Sequence, residues 1–224
     1  MIDPSRTTTV TGRLIRMGVS NAARAEKLCS DPDLIQVLGP IDSVHPLLEA
    51  LTFCADPDLG LLSIVRLCGS LVAGRDETDG AERGSAPDYK GLIASLRGVI
   101  APVGDSSESE ATEDRDQQIR RIFSVFGQSV ALADEVIRHP ELLNDLLDLT
   151  PGIGVDARMV RARMLKAVDA DPTEPVPVAG MTREGATLDH PGISTDEYTS
   201  RMRREYRRTI LLIAATDLAS NEPL

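Results

Sequence analysis

Chemistry in this 224-residue chain would have to come from a short roster of side chains. Two DxD strings, Asp31-Pro32-Asp33 and Asp56-Pro57-Asp58, set carboxylates two residues apart. Carboxylates that converge from a strand hold Mg²⁺ in nucleotidyl transfer. Here a proline separates each pair and a helical pattern follows. The first acid therefore reads as an N-cap, the proline as the first helical residue, and the second acid as a charge favoured by the helix dipole. Three scattered histidines, His45, His139 and His190, compose no serine–histidine or cysteine–histidine arrangement. Cys29, Cys54 and Cys68 are odd in number and fit no zinc spacing, so they read as reduced thiols on helices. Pro151-Gly152-Ile153-Gly154 follows no strand and reads as a turn, not a phosphate loop. Two basic groups remain: Arg201, Arg204 and Arg208 beside Tyr206 on the last helix, and Arg138-His139 at the end of a short one. The planar fork of arginine suits carboxylates and phosphates. These residues read either as pairing within the chain or as contacts to another domain or partner. No catalytic, cofactor-binding or metal-ligating residue is assigned.

The elements that would position them are helical throughout. Aromatics are scarce, and a core of Leu, Ile, Val and Ala suits packed helices better than a β-sandwich. The expected class is all-α, a multi-helix scaffold or bundle with long polar loops and no sheet. Ser20 would cap a helix over about 21–30, and a long helix over about 57–73 would use Leu59, Leu62, Val65 and Leu67. Further helices are expected over about 88–100, 113–126, 129–138, 140–149 and 155–168. Five regions follow: N-terminal helices (1–74), polar loops around a helix (75–112), a helical corner with its following helix (113–168), a linker (169–193) and a C-terminal amphipathic helix (194–224). Mobility is expected near 75–86 and 104–112, where little apolar surface is available to bury.

The last helix is the clearest amphipath. Ser194 with Glu197 three residues on is a capping box. Tyr198, Met202, Tyr206, Thr209, Ile210 and Ile213 share one arc, bracketed by Arg201, Arg204 and Arg208 on one side and Arg203 and Arg207 on the other. The expectation is that this apolar stripe is buried.

A formal charge of −11 argues against a general nucleic-acid binder. No apolar run approaches the roughly 18 residues of a membrane span. The opening MIDPSRTTTV has no signal-peptide core, so a cytoplasmic location is expected.

The helical corner carries the most specific wording. Ile119, Ile122, Phe123 and Phe126 step along one helix face, Gly127 breaks the run, and Ser129 can cap a short second helix. Val130, Leu132, Val136 and Ile137 point several ways, so that helix is expected to be buried on most sides. Pro140 ends it and suits the start of a third, with Leu142, Leu143, Leu146 and Leu147 on one side. Ser129, Leu132, Val136, Arg138, His139, Pro140, Glu141 and Leu142 resemble the S–x–x–L–x–x–x–(L/V/I)–x–R–H–P–E–(L/W)–L segment of the bifunctional glutamine synthetase adenylyltransferase and adenylyl-removing enzymes. The similarity extends to residues 13–34, to 55–71, and to 197–220, which look like that family's LR–x–x–YRR–x–LL–x–(I/L)–AA–x–DL helix.

The resemblance implies an enzyme that controls glutamine synthetase in nitrogen metabolism. Its N-terminal half removes AMP from a tyrosine by phosphorolysis, releasing ADP; its C-terminal half attaches AMP from ATP, with Mg²⁺. Signal protein PII and glutamine set the balance. Each half of such an enzyme has a nucleotidyltransferase domain with a G–x–x–E–L–N–Y–x–S–D–x–D motif, and no such string occurs here. The chain is therefore expected to be the N-terminal portion, inactive alone, upstream of a missing nucleotidyltransferase domain. The rival reading is a free-standing all-helical module that docks an acidic or helical partner.

Overall fold

The computed structural model describes residues 9–78, 87–101, 109–149, 156–180 and 194–220. Among them there are helices and turns but no strand. In chain order these are α1 (Val10–Arg16), α2 (Ala22–Cys29), α3 (Pro32–Leu38), α4 (Pro46–Ala50), a 3-10 turn (Leu51–Phe53), α5 (Pro57–Thr78), α6 (Tyr89–Ile100), α7 (Ser109–Gln128), α8 (Val130–Arg138), α9 (Leu142–Leu147), α10 (Ala157–Ala167) and α11 (Thr195–Ser220). The all-α expectation holds. Two compact units divide the chain: residues 1–151 with 217–224, and residues 152–216.

In the first unit α5 is the axis. It packs against α2, α3, α6, α7 and α8. Leu61, Ile64, Val65, Leu67, Cys68, Leu71 and Val72 are buried around it, so the helix is apolar on most sides, as a core helix must be. Leu59 and Leu62 are half-buried at its edges. By length and composition α5 would also pass as a membrane span, contrary to the expectation from apolar runs. Ser63, Arg66 and its glycines interrupt the run without lowering the mean hydropathy enough to matter. Helix extends through Thr78 and begins again at Ser109, so part of the expected polar loop is helical. Residues 79–86 and 102–108, within or beside the stretches expected to be mobile, lie outside the described residues.

Local signals start most helices. Asp31 accepts from the backbone N–H of Asp33 and Leu34 at 3.0 and 3.3 Å, and Asp56 from that of Leu59 at 3.0 Å. Ser129 caps α8 through Leu132. Ser20, however, is not a cap. Asn21 takes that role for α2, while Ser20 donates both its backbone N–H and its hydroxyl to Asp58 at 2.7 Å. One residue of register separates a helix cap from a clip onto α5. Cys54 likewise lies in the turn before α5, not on a helix.

α7 presents Ile119, Ile122, Phe123 and Phe126 to the core, all buried. α8 does not match its expectation. It packs mainly on α5 and α7 among the described elements, and Ala133 and Val136 are buried while Val130 is 54% exposed. α9 is shorter than expected, because Pro140 and Glu141 form the entering turn, but its four leucines are buried as expected.

The junction of α7 with the Cys54 turn is unusually close. Cys54 Sγ donates to the Phe123 carbonyl at 3.2 Å, and the Asp56 N–H to the Gly127 carbonyl at 3.0 Å. A Cβ on Gly127 would lie 2.7 Å from the Cys54 Cα and collide with its Cβ. Alanine gains up to about 1 kcal/mol over glycine in a helix, whereas overpacking costs about 1–3 kcal/mol. Here the obstacle is backbone, so the clash wins. Gly127→Ala should lower stability by about 1–3 kcal/mol. At Gly98 of α6 a Cβ would have no neighbour within 4 Å, and Gly98→Ala should raise stability by about 0.5–1 kcal/mol. Urea melts of both variants check this; equal effects of one sign would contradict the packing described.

Candidate functional site

Arg138 and His139 end α8 in an acidic neighbourhood. Arg138 approaches Asp134 at 3.6 Å and Glu135 at 3.7 Å, with its side chain 64% exposed. His139 lies 3.9 Å from Glu135 and 3.7 Å from Glu141, contacts that become ion pairs only if it is protonated. Exposed pairs of this length contribute little. The corner is held from below instead. Ser70 donates to the Ile137 carbonyl at 2.8 Å, and Arg66 meets Asp134 at 2.6 Å, tying α8 to α5. Gln118 and Arg121 of α7 donate to the Leu147 and Leu146 carbonyls at 3.1 and 3.0 Å, closing the end of α9. Arg121 is 4% exposed. Burial pulls its basicity down against the opposing charge of Asp114. Nothing in its sequence neighbourhood singles it out, since a buried arginine and a solvated one look alike in a charged helix.

The thiols are inert for a physical reason. Burial pushes Cys54 and Cys68 up to about 12, helped by Asp56 in one case and by Asp31 and Asp33 in the other. Burial, with Glu26, pushes Cys29 up to about 11. The thiolate that would act as nucleophile is disfavoured at neutral pH. Among the described residues no three His, Cys, Asp or Glu side chains converge as metal ligands.

The basic residues of α11 sort differently from the wheel. Arg201 bonds Asp169 and Glu197, both at 3.0 Å, and lies 5.9 Å from the Tyr198 ring. Asp169 sits just past α10 with φ 54°, a left-handed position where Asp is tolerated. Glu205 receives Arg163 of α10 at 2.7 Å and approaches Arg208 at 3.8 Å. Arg204 and Tyr206 are exposed. Most of the stripe expected to be buried is open: Met202 is 42%, Tyr206 58%, Ile210 38% and Ile213 44% exposed, Tyr198 is half-buried, and Thr209 is buried as expected. Leu211, Leu212 and Ala215 are buried on another side. On a wheel this face is rotated by about a third of a turn from the stripe. It carries the Arg201, Glu205 and Arg208 row in the N-terminal half. The wheel averages over a helix whose two halves bury the same side with different chemistry. In the second unit, Arg163, Lys166 and Ala167 of α10 and Glu205 and Arg208 of α11 line a cavity of about 480 Å³.

The described residues define an all-helical protein whose charged groups cap, clip and pair, with one apolar helix face left open. No family model matches the chain, and no solved structure does. Over 158 residues it is 34% identical to the bifunctional glutamine synthetase adenylyltransferase/adenylyl-removing enzyme of Streptomyces avermitilis. The matched stretch is 68% of this chain and 13% of that protein, so the chain spans a small part of its relative's length. The match supports a relationship to glutamine synthetase adenylyltransferases and to the nucleotidyltransferase class.

His45 has a role that its sequence context does not reveal. It caps α4, its Nδ1 accepting from the Leu47 N–H at 3.1 Å, with Nε2 3.4 Å from the Leu38 carbonyl. Burial lowers its pKa from 6.5, outweighing the Leu38 carbonyl and Asp42. A folded pKa below the unfolded value means stability that is present above about pH 6.5 and lost as pH falls through the folded pKa. Urea midpoints should therefore drop as pH is lowered from about 7.5 to about 5.5. The drop should shrink in His45→Asn, which keeps a cap and does not titrate. The same drop in both proteins would show that His45 does not carry this dependence.

Proposed function

We propose that this chain is the N-terminal helical part of a glutamine synthetase adenylyltransferase/adenylyl-removing enzyme. The observation that carries the reading is the 34% identity over 158 residues to the Streptomyces avermitilis protein of that name. The whole enzyme would transfer AMP from ATP, with Mg²⁺, to a glutamine synthetase tyrosine and remove it by phosphorolysis. It would work in the cytoplasm under the control of PII and glutamine. This chain would contribute scaffold and no metal ligands. Its two DxD strings support that role, because Asp31 and Asp56 are engaged at helix N-termini and Asp58 is clipped to Ser20.

The open stripe of α11 supports a further part of the proposal. Met202, Tyr206, Ile210 and Ile213 form a row of large apolar side chains at helical spacing, exposed in this chain. In the longer polypeptide they would pack against the following nucleotidyltransferase domain, with Arg204 left facing solvent. The same stripe also suits the rival reading, a free-standing module that binds a helical partner. The gene distinguishes them: an in-frame E–L–N–Y–x–S–D–x–D string beyond Leu224 is expected, and a stop codon with no such string would favour the module.

Two outcomes are expected in the laboratory. The purified chain should neither adenylylate nor deadenylylate glutamine synthetase, since both reactions need carboxylates converging on Mg²⁺. Magnesium-dependent ADP release from adenylylated glutamine synthetase by this chain alone would overturn the scaffold role. In the longer polypeptide Tyr206→Ala should cost roughly 2–4 kcal/mol, the scale for deleting a buried large side chain. In the present chain the same change should cost much less, and Arg204→Ala should cost little in either. Paired urea melts test this; equal small effects of Tyr206→Ala in both proteins would refute docking of the stripe.

A further inference from the structure

We propose that the open row of α11 receives an amphipathic helix whose apolar face is edged by carboxylates. This partner chemistry rests on the docking of that row in the longer polypeptide, and specifies what the docking element carries. Met202, Tyr206, Ile210 and Ile213 are large, apolar and exposed. They span about three helical turns, roughly 16 Å. Met202, Tyr206 and Ile210 follow one another at a spacing of four, a ridge of the kind that fits the groove of a facing helix. Tyrosine, methionine and arginine are the residue types enriched where proteins meet.

One edge of the row is cationic. At 100° per residue Arg203 falls about 20° from Ile210. It is exposed and, among the described residues, forms no hydrogen bond or ion pair. Arg207 shares that edge but is already engaged, which leaves Arg203 as the uncompensated charge there. Glu205 lies on another side of α11, where it holds the Arg163 Nε at 2.7 Å. A helix laid on the row would strip water from part of the Arg203 guanidinium. That costs free energy unless a carboxylate meets it, and the planar fork of arginine suits a carboxylate. The row is also set before docking. Arg201–Asp169 at 3.0 Å and Arg163–Glu205 at 2.7 Å hold α11 from other sides, which lowers the ordering cost of binding.

Two synthetic helical peptides with the same leucine row test this, one edged by glutamates and the other by lysines. Binding to the full chain is read by fluorescence anisotropy at about 0.15 M salt, where charges beyond about 8 Å are largely screened. The glutamate peptide should bind saturably and at least about threefold more tightly than the lysine peptide, the scale of one partly exposed ion pair. The net charge of −11 would by itself favour the lysine peptide, so the sign of the preference is diagnostic. Arg203→Glu should abolish or reverse it. Arg204→Glu, exposed on a different side of α11, should leave it unchanged. Tyr206→Ala should weaken both peptides. Melting curves verify that each variant is folded. Failure of the glutamate peptide to bind, or no preference for it over the lysine peptide, would overturn the proposal. So would a preference that survives Arg203→Glu, or an equal loss in Arg204→Glu. None of these outcomes decides whether the row docks in the longer polypeptide, which the Tyr206→Ala melts there test separately.

Discussion

The fold turns on how closely the end of α7 approaches the Cys54 turn. Two helices normally meet through side chains, but here backbone meets backbone. Gly127 has no side chain to hold the surfaces apart, and Gly60 removes the obstacle on the α5 side, where a Cβ would strike the Cys54 sulfur. The approach lets Cys54 and Asp56 donate to the Phe123 and Gly127 carbonyls, and Gly127 lies in the last turn of α7, where carbonyls lack intrahelical partners. Asp56, pinned there by its N–H, uses its carboxylate to start α5. The same few residues thus end one helix and begin the central one. With both ends fixed, Phe123 and Phe126 have little choice but to enter the core that also holds Ile64 and Leu67, all four fully buried.

What this junction needs is only partly legible in the sequence. Caps are readable because they rest on local chemistry: Asp31, Asp56, Ser129 and Ser194 each accept from a backbone N–H two or three residues on. The apolar face of α7 is readable for the same reason, being a property of one helix. Gly127 reads as a break, although α7 continues through it to Gln128; its role is a contact with a residue far earlier in the chain, Cys54. Ser20 escapes a local reading because its partner, Asp58, lies far along the chain, and His45 because histidine is not among the usual capping residues although its capping partner, Leu47, is local. Periodicity overstates the burial of α8 because it reports which sides of a helix are apolar, not how many neighbours arrive to cover them.

The second unit makes that point more sharply. α11 covers most of Glu205, leaves Arg201 half-buried beside it, and turns Met202, Tyr206 and Ile210 outward. Hydrophobic burial alone would rotate the helix the other way, since a large apolar side chain gains roughly 1.5–3 kcal/mol on full burial. Partly buried ion pairs are weak compensation, because desolvation offsets much of their attraction. Such an arrangement is better suited to setting orientation than to adding stability. The Arg163–Glu205 and Arg201–Asp169 pairs tie α11 to α10 and to the segment just past it at two separate levels. They fix which face of α11 is offered to solvent.

That division bears on the kind of protein this is. Among the described residues, Asp31 and Asp56 are engaged in caps, Asp58 in a clip and His45 in a cap, while Cys29 and Cys68 are buried and Cys54 half-buried. Capping lowers the free energy of a carboxylate where it stands, so recruiting it to a metal would first cost a helix terminus about 0.5–2 kcal/mol. A scaffold can accept such commitments, whereas a catalytic surface keeps its acids free to converge. Among the described residues, the apolar row on α11 is an accessible group of another type. An exposed row of this kind is recognition chemistry. Capping and clipping, by contrast, hold the carboxylates of the DxD strings at helix starts, where they serve the fold.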